Sequence, residues 1–278
     1  MSEVDTQTLS DMAETLLFPL YLRATESQRP DAMIRDEKAV ALVDQINYDF
    51  SRFKFVGIDE IALAMRTRQF DRCARDFLAR FPDAVVVHIG PGLDTRFERV
   101  DNGRVEWYDL DLPEVIELRR KFIGGEKDRY HLLSCSVLDN AWLDVVSVHS
   151  QRPFLFMAEG VLMYFEEAQV KSLVLMLLRR FPGSELVCDV ETPLQNRIDN
   201  LKLARNKFSA RIKWSLKLGR DLESWGDGIS LLEEWFYIYD PEPRLDSYRW
   251  IRHFPFLAKA AGVFRYRLGK TADEKASR

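Results

Sequence analysis

The sequence predicts an α/β fold: a doubly wound, mostly parallel sheet with helices on both faces, a helical front piece and a late helical insertion. Three observations carry this. Between residues 84 and 190, short β-branched and aromatic runs alternate with stretches of helical periodicity. The first strong run, VVVHI, ends directly in Gly90-Pro91-Gly92. After residue 191 the alternation stops, and it resumes with two strand-like runs near the end.

Thr6 to Arg23 has helical spacing, with Leu9, Met12, Ala13, Leu16 and Leu17 on one face, until Pro19 interrupts it. Glu37 to Tyr48 and the arginine-rich Glu60 to Arg80 are further helices. Ala84 to Ile89 is the first strand, followed by the glycine turn. Val105 to Leu110 is a strand, and Pro113 to Phe122 a helix with proline at the favoured first position. Tyr130 to Ser134, Phe154 to Ala158 and Leu186 to Val190 read as strands, with a helix at Glu166 to Arg180. Thr192 to Gly226 reads as helical and holds eight Lys or Arg residues. Trp235 to Tyr239 and Val263 to Leu268 close the chain as an antiparallel pair. A sheet of this kind binds its ligand beyond the carboxyl ends of its strands. Gly90, Asp109 to Asp111, Ser134 to Ser136 and Glu159 then surround one crevice.

Composition narrows the function. A formal net charge of -4 gives no basic field for nucleic acid. The run FLFMAEGVLMYF is too short for a membrane span and is broken by Glu159. Met1 to Ser10 is polar and unlike a secretory leader, and Cys73, Cys135 and Cys188 form no CxxC, so a reducing, cytoplasmic setting is expected. His88, His131, His149 and His253 have no metal-ligand spacing. His88 falls inside a strand that is expected to be buried. No GxxxxGK[ST] occurs, which argues against ATP hydrolysis.

The glycine turn leaves the ligand open between dinucleotides and S-adenosylmethionine. GPGLDT has Thr95 where a dinucleotide fold places its third glycine, which lets helix and strand pack closely beside a pyrophosphate. A carboxylate at Asp109 or Asp111 suits a ribose in either ligand. The two alternate along one strand, so both face one side. Asp111 is favoured for the ribose and Asp109 for a structural role. Glu159, an acid in an apolar run at a strand end, is costly unless paired and so reads as functional. Asp71, Arg72 and Arg75 read as a charged helix face.

The stretches GPGLDTRF, WYDLDLPEVIELRRKF and FMAEGVLMYF resemble the leucine carboxyl methyltransferase family, including its polyketide O-methyltransferases. ETLLFPLYLRATESQRPDAMIRDEKAV, AMRTRQFDRC and GRDLESWGDGISLLEEWFYI extend the resemblance from about Glu14 to Tyr239. It implies a class I methyltransferase fold with a seven-stranded sheet and S-adenosylmethionine as cofactor, with no metal. The order of elements divides one domain into a helical cap over 1–80, a core over 81–191 and 229–270, and a helical substrate lid over 192–228. Arg66, with Arg68 close behind, corresponds to the arginine that holds the methionine carboxylate. Gly90 and Gly92 lie under the methionine, Asp111 with Leu112 holds the ribose, Glu159 matches the acid of the AEGVLMY motif, and Tyr164 matches its tyrosine as a catalytic candidate. Ser136-Val137 stands where the family often has Asp-Leu beside the adenine, and Asp139 follows.

The expected acceptor is a small molecule. A carboxylate is already ionised at neutral pH and needs only orientation, whereas a phenol gains from a base. With no histidine in the motif set, and cations in the lid and at Arg23, Arg29 and Arg35, the sequence favours an anionic carboxylate acceptor, with Arg205 and Arg211 orienting it. Phenol methylation is the alternative, and a nicotinamide oxidoreductase a more distant one.

Overall fold

The computed structural model describes residues 4–5, 11–53, 57–205 and 210–270. The expected helix start at Thr6 to Ser10 and the polar tail at 271–278 lie outside the described residues. The main sheet has seven strands: β1 (Val85–Ile89), β2 (Glu106–Asp111), β3 (Tyr130–Ser134), β4 (Phe154–Ala158), β5 (Ser184–Glu191), β6 (Ile229–Phe236) and β7 (Ala261–Leu268). Their order is β3-β2-β1-β4-β5-β7-β6, with β7 antiparallel to both neighbours and the other pairs parallel.

The alternation of side chains explains why helices cover both faces. Val85, Val87 and Ile89 pack on one side with α6 (Ala141–Val146) and α7 (Glu167–Arg180). Val86 packs on the other, against Phe70, Cys73 and Phe77 of α3 (Ile58–Arg80), in a cluster with Phe97 of α4 (Arg96–Val100) and Ile116 of α5 (Pro113–Phe122). Register sets Ile89 beside both Leu110 and Ala158, and Asp111 beside Ser134. The strand ends therefore make one edge, and Gly90, Asp111 and Glu159 stand along it.

The front piece packs as a unit. In α1 (Asp11–Ser27) Pro19 does not break the helix. A proline removes one backbone donor, and burial of Leu17, Leu20 and Ala24 against Ala39 and Leu42 of α2 (Glu37–Gln45) offsets that loss. Leu93 of the glycine turn belongs to the same apolar cluster, so the cap sits directly on the turn.

Two segments differ from expectation. The insertion after β5 begins as α8 (Pro193–Arg205), but residues 210–216 form no helix and Gly219–Trp225 is a 3-10 helix. Ile212, Trp214 and Leu216 are buried while Arg211, Lys213 and Lys217 are exposed, a period of two that a helix does not produce. Strand β6 starts several residues earlier than Trp235 and ends where a 3-10 turn, Tyr237–Tyr239, begins. As an edge strand it carries Glu233 in ion pairs with Arg72 and Arg265, so it lacks the apolar run of a central strand.

Candidate active site

The crevice is built on close backbone approaches. Gly90 and Gly92 have φ of +62° and +53°, left-handed values that suit glycine. A Cβ on Gly90 would lie 2.4 Å from Val161, in the loop after β4. One on Gly92 would lie 2.9 Å from Leu16 of α1. The turn is thus clamped between the β4 loop and the cap.

Asp111 closes the turn from β2. Its Oδ2 accepts from Gly92 N–H (2.9 Å) and its Oδ1 from Leu112 N–H (2.8 Å). Burial raises its pKa despite these donors. Asp109, two residues back, is fully inside. It accepts from Trp107 Nε1 (2.8 Å), Tyr130 Oη (2.6 Å) and Arg119, and Arg119 also donates to Gly92 O (2.6 Å). Asp109 therefore holds the turn from beneath, whereas Asp111 faces the crevice.

Glu159 follows β4 and is bound from three sides, by Arg66 Nε (3.0 Å), Arg96 (2.5 Å) and Thr67 Oγ1 (3.3 Å). Arg66 also reaches Asp189 Oδ2 at 3.0 Å, and Asp189 accepts from Gly160 N–H at 2.8 Å. Burial would raise the pKa of Glu159, but Arg96 and Arg66 outweigh it and hold the carboxyl below its ordinary value. Desolvation wins at Asp189, whose pKa is raised. Tyr164 lies on the 3-10 turn Leu162–Tyr164, 37% exposed, and burial of the phenol raises its pKa. Val137 is buried, Ser136 half-buried and Leu112 exposed beside the β2 and β3 ends.

The structure brings together Arg66, Gly90, Gly92, Asp111, Glu159 and Tyr164 but separates others. Arg68, two residues beyond Arg66 on a helix, points elsewhere and pairs with Asp240 (2.7 Å) and Glu242 (3.5 Å). It borders two open cavities of about 690 and 710 Å³ outside the crevice. Arg205 and Arg211 are exposed, with no hydrogen bond or ion pair to a described residue of the crevice. The cations of the front piece are also engaged. Arg23 bonds Asp36 and Leu93 O, Arg29 bonds Asp31, and Arg35 bonds Ser27 O.

A buried ion network behind the crevice escaped sequence reading. Asp71 accepts from Arg96 and Arg99, and Asp94 pairs with both. Asp36, which caps α2, binds Arg23, Thr95 and Arg99. Burial opposes ionisation of Asp94, yet Arg96, Arg99 and Arg23 hold its pKa well down. Asp71 is therefore no solvated face, a correction the helical spacing alone could not supply. The partial signal was Arg96 and Arg99, one turn apart beside the glycine turn.

The crevice can meet a ligand carrying both an anionic and a cationic group, because it holds a guanidinium beside carboxylates. Arg66 brings a guanidinium bonded to Glu159 and Asp189, and Asp111 adds a third carboxylate at the end of β2. Among the described residues, no cluster of His, Cys, Asp or Glu is arranged for a metal ion, and no helix is long and apolar enough to cross a membrane.

The chain is similar to known proteins over most of its length. The leucine carboxyl methyltransferase family profile matches residues 17–177. The chain is 35% identical over 263 residues to the tetracenomycin polyketide synthesis O-methyltransferase TcmP of Streptomyces glaucescens, covering 94% of this chain and 91% of that protein. It is 30% identical over 269 residues to the S-adenosyl-L-methionine-dependent methyltransferase dpfgK of Gibberella zeae, covering 89% of each. A Thermobifida fusca protein solved as a methyltransferase candidate shares the fold, with a TM-score of 0.58 at 17% identity over 90% of this chain and 94% of that one. This chain is an S-adenosylmethionine-dependent methyltransferase and belongs to the leucine carboxyl methyltransferase family.

Proposed function

We propose that the enzyme methylates a carboxylate oxygen of a small, polyketide-type acceptor, forming a methyl ester. The observation that carries this reading is where the imidazoles lie. His88 is held by Arg96 (3.0 Å) and lies 3.5 Å from Asp109. His131 is bound to Glu106, His149 to Tyr108 at 3.0 Å, and His253 is exposed at the end of a 3-10 helix. The crevice thus has no histidine to deprotonate a phenol, and a carboxylate asks for none. The name of the matching family favours a carboxyl acceptor, and the O-methyltransferase related over nearly the whole chain favours transfer to an oxygen.

When bound, S-adenosylmethionine supplies a sulfonium methyl group that leaves without its bonding electrons, so a carboxylate acceptor releases no proton. The residues of the chain that would hold it are Arg66 at the carboxylate, Glu159 at the ammonium, Gly90 and Gly92 beneath the methionine, and Asp111 with Leu112 at the ribose. Ser136 and Val137 would flank the adenine. Orientation of the two reactants can contribute roughly 7–11 kcal/mol to such a displacement. The test is product chemistry. Aromatic polyketide acids and their hydroxyl analogues are incubated with methyl-labelled cofactor. Label released as methanol by mild alkali identifies an ester. Label that survives alkali identifies an ether and overturns the reading.

A further inference from the structure

Glu191 is the last residue of β5 and lies on the same side of the strand as Asp189, to which Arg66 and Gly160 are bonded. It stands one step nearer the mouth of the crevice. Its own carbonyl accepts from Leu216 N–H (3.0 Å), while Lys213 and Trp214 N–H donate to Met163 O (2.7 and 3.1 Å). The strap over 210–216 therefore walls this corner. The carboxyl Oε2 is buried and has no hydrogen-bond partner.

The groups facing it come from five elements. They are Asp189 from β5, Asp199 and Lys202 from α8, Arg66 from α3, Tyr164 after β4 and Tyr237 after β6. Asp199 is occupied with Gln195 (2.7 Å) and Lys202 (3.3 Å), and Lys202 with Asp59 (3.0 Å). Lys202 and Arg66 favour the ionised form of Glu191, but burial with Asp199 and Asp189 outweighs them. An ionised carboxylate held in this way, without a donor and beside two acids, is costly, and a proton removes the cost. Burial, then Asp199 and Asp189, push its pKa up to about 8. At neutral pH the group is an acid with no acceptor of its own.

We propose that Glu191 acts as a neutral carboxylic acid that donates a hydrogen bond to the acceptor's carboxylate and so positions it for methylation. This rests on the carboxylate-acceptor reading. It also supplies what the lid arginines do not, a partner for the acceptor anion. One acceptor oxygen is held by Glu191, leaving the other to attack. Glu191 keeps its proton throughout. The ester has lost the charge that made this bond strong, so the same contact favours product release.

The tests use the full chain and the acid that the ester assay turns over. Infrared difference spectra of ligand-free wild type against Glu191→Gln should show a protonated-carboxyl C=O band at pH 7 that fades through pH 8. The KM for the acid should rise about tenfold per pH unit above that point, with kcat at saturation unchanged. Acid affinity measured calorimetrically with S-adenosylhomocysteine present should weaken in parallel. Glu191→Gln keeps a neutral donor, so it should stay within a few-fold of wild type with a flat profile. Glu191→Ala should bind the acid roughly ten- to a hundredfold less tightly at pH 7. An ester product without the infrared band overturns the proposal alone. An ether product overturns the carboxylate reading and the proposal with it. A kcat that rises with pH and is abolished in Glu191→Gln makes Glu191 a general base and overturns it as well.

Discussion

Among the glycines at the crevice, Gly90 has the least room for a side chain. Gly90→Ala meets two separate penalties, the left-handed backbone and the 2.4 Å approach of Val161. The backbone penalty alone is about 1–3 kcal/mol. Pairing the substitution with Val161→Ala should recover the steric part but not the backbone part. Thermal unfolding of the two single variants and the double variant checks this, and full recovery would refute the backbone argument. Asp111→Ala removes the acceptor of two backbone N–H groups as well as the expected ribose contact. Cofactor affinity should fall by about 1.5–3 kcal/mol, roughly ten- to 150-fold, in titration calorimetry. Early melting with normal affinity would make Asp111 purely structural. At this scale the glycine pair and the acid after β2 were legible, because strand alternation and turn chemistry are local. The fixing of Asp109 by Trp107, Tyr130 and Arg119 was not, since Tyr130 comes from another strand.

Among the elements, the strap over 210–216 separates packing from charge. Trp214 fills the core beside Leu216 and Leu222. Trp214→Ala should cost about 3–5 kcal/mol in denaturant unfolding. Arg205→Ala and Arg211→Ala, both exposed, should each stay within about 0.5 kcal/mol and leave the acceptor KM unchanged. A raised KM in the double variant would restore these arginines to the site. The strap's alternation of Ile212, Trp214 and Leu216 was visible in RIKWSLK. The basic residues between them drew the reading toward a solvated helix instead. Strand β6 was missed at its start for a related reason: an edge strand carrying Glu233 and Glu234 has no apolar run to mark it.

For the molecule as a whole, cap, turn and core are joined by one buried set of charges. Asp94 and Asp71 have lowered pKa values against opposing desolvation. A depressed carboxyl contributes stability above its unfolded pKa, near 3.9, that is lost as pH falls through the folded value. Stability should therefore decline steeply below about pH 4. Asp71→Asn should flatten that acid limb while costing about 3–5 kcal/mol at neutral pH, because it leaves Arg96 and Arg99 short of a partner. Urea unfolding from pH 2.5 to 7 is the measurement, and an unchanged acid limb would refute the assignment. Glu191 has the opposite sign. Its folded pKa is raised to about 8, so it costs stability as pH climbs from its unfolded value toward 8. Glu191→Gln should melt increasingly above wild type over that window and hold a constant margin beyond it.

The sequence by itself determined the layered sheet and the line of residues along its carboxyl edge. Hydrophobic period and glycine geometry act over a few residues, so VVVHIGPG and FLFMAEG carry their own instructions. Only the tertiary structure decided which charges are buried. Arg66 and Arg68 look alike in the sequence, yet one turns to Glu159 and Asp189 and the other to Asp240. The hydrogen-bonded arginines of Asp71 and Glu159 lie 25 to 93 positions away. Pairings at such a distance follow from how α3, β4 and the glycine turn pack together, and local spacing holds no record of that packing.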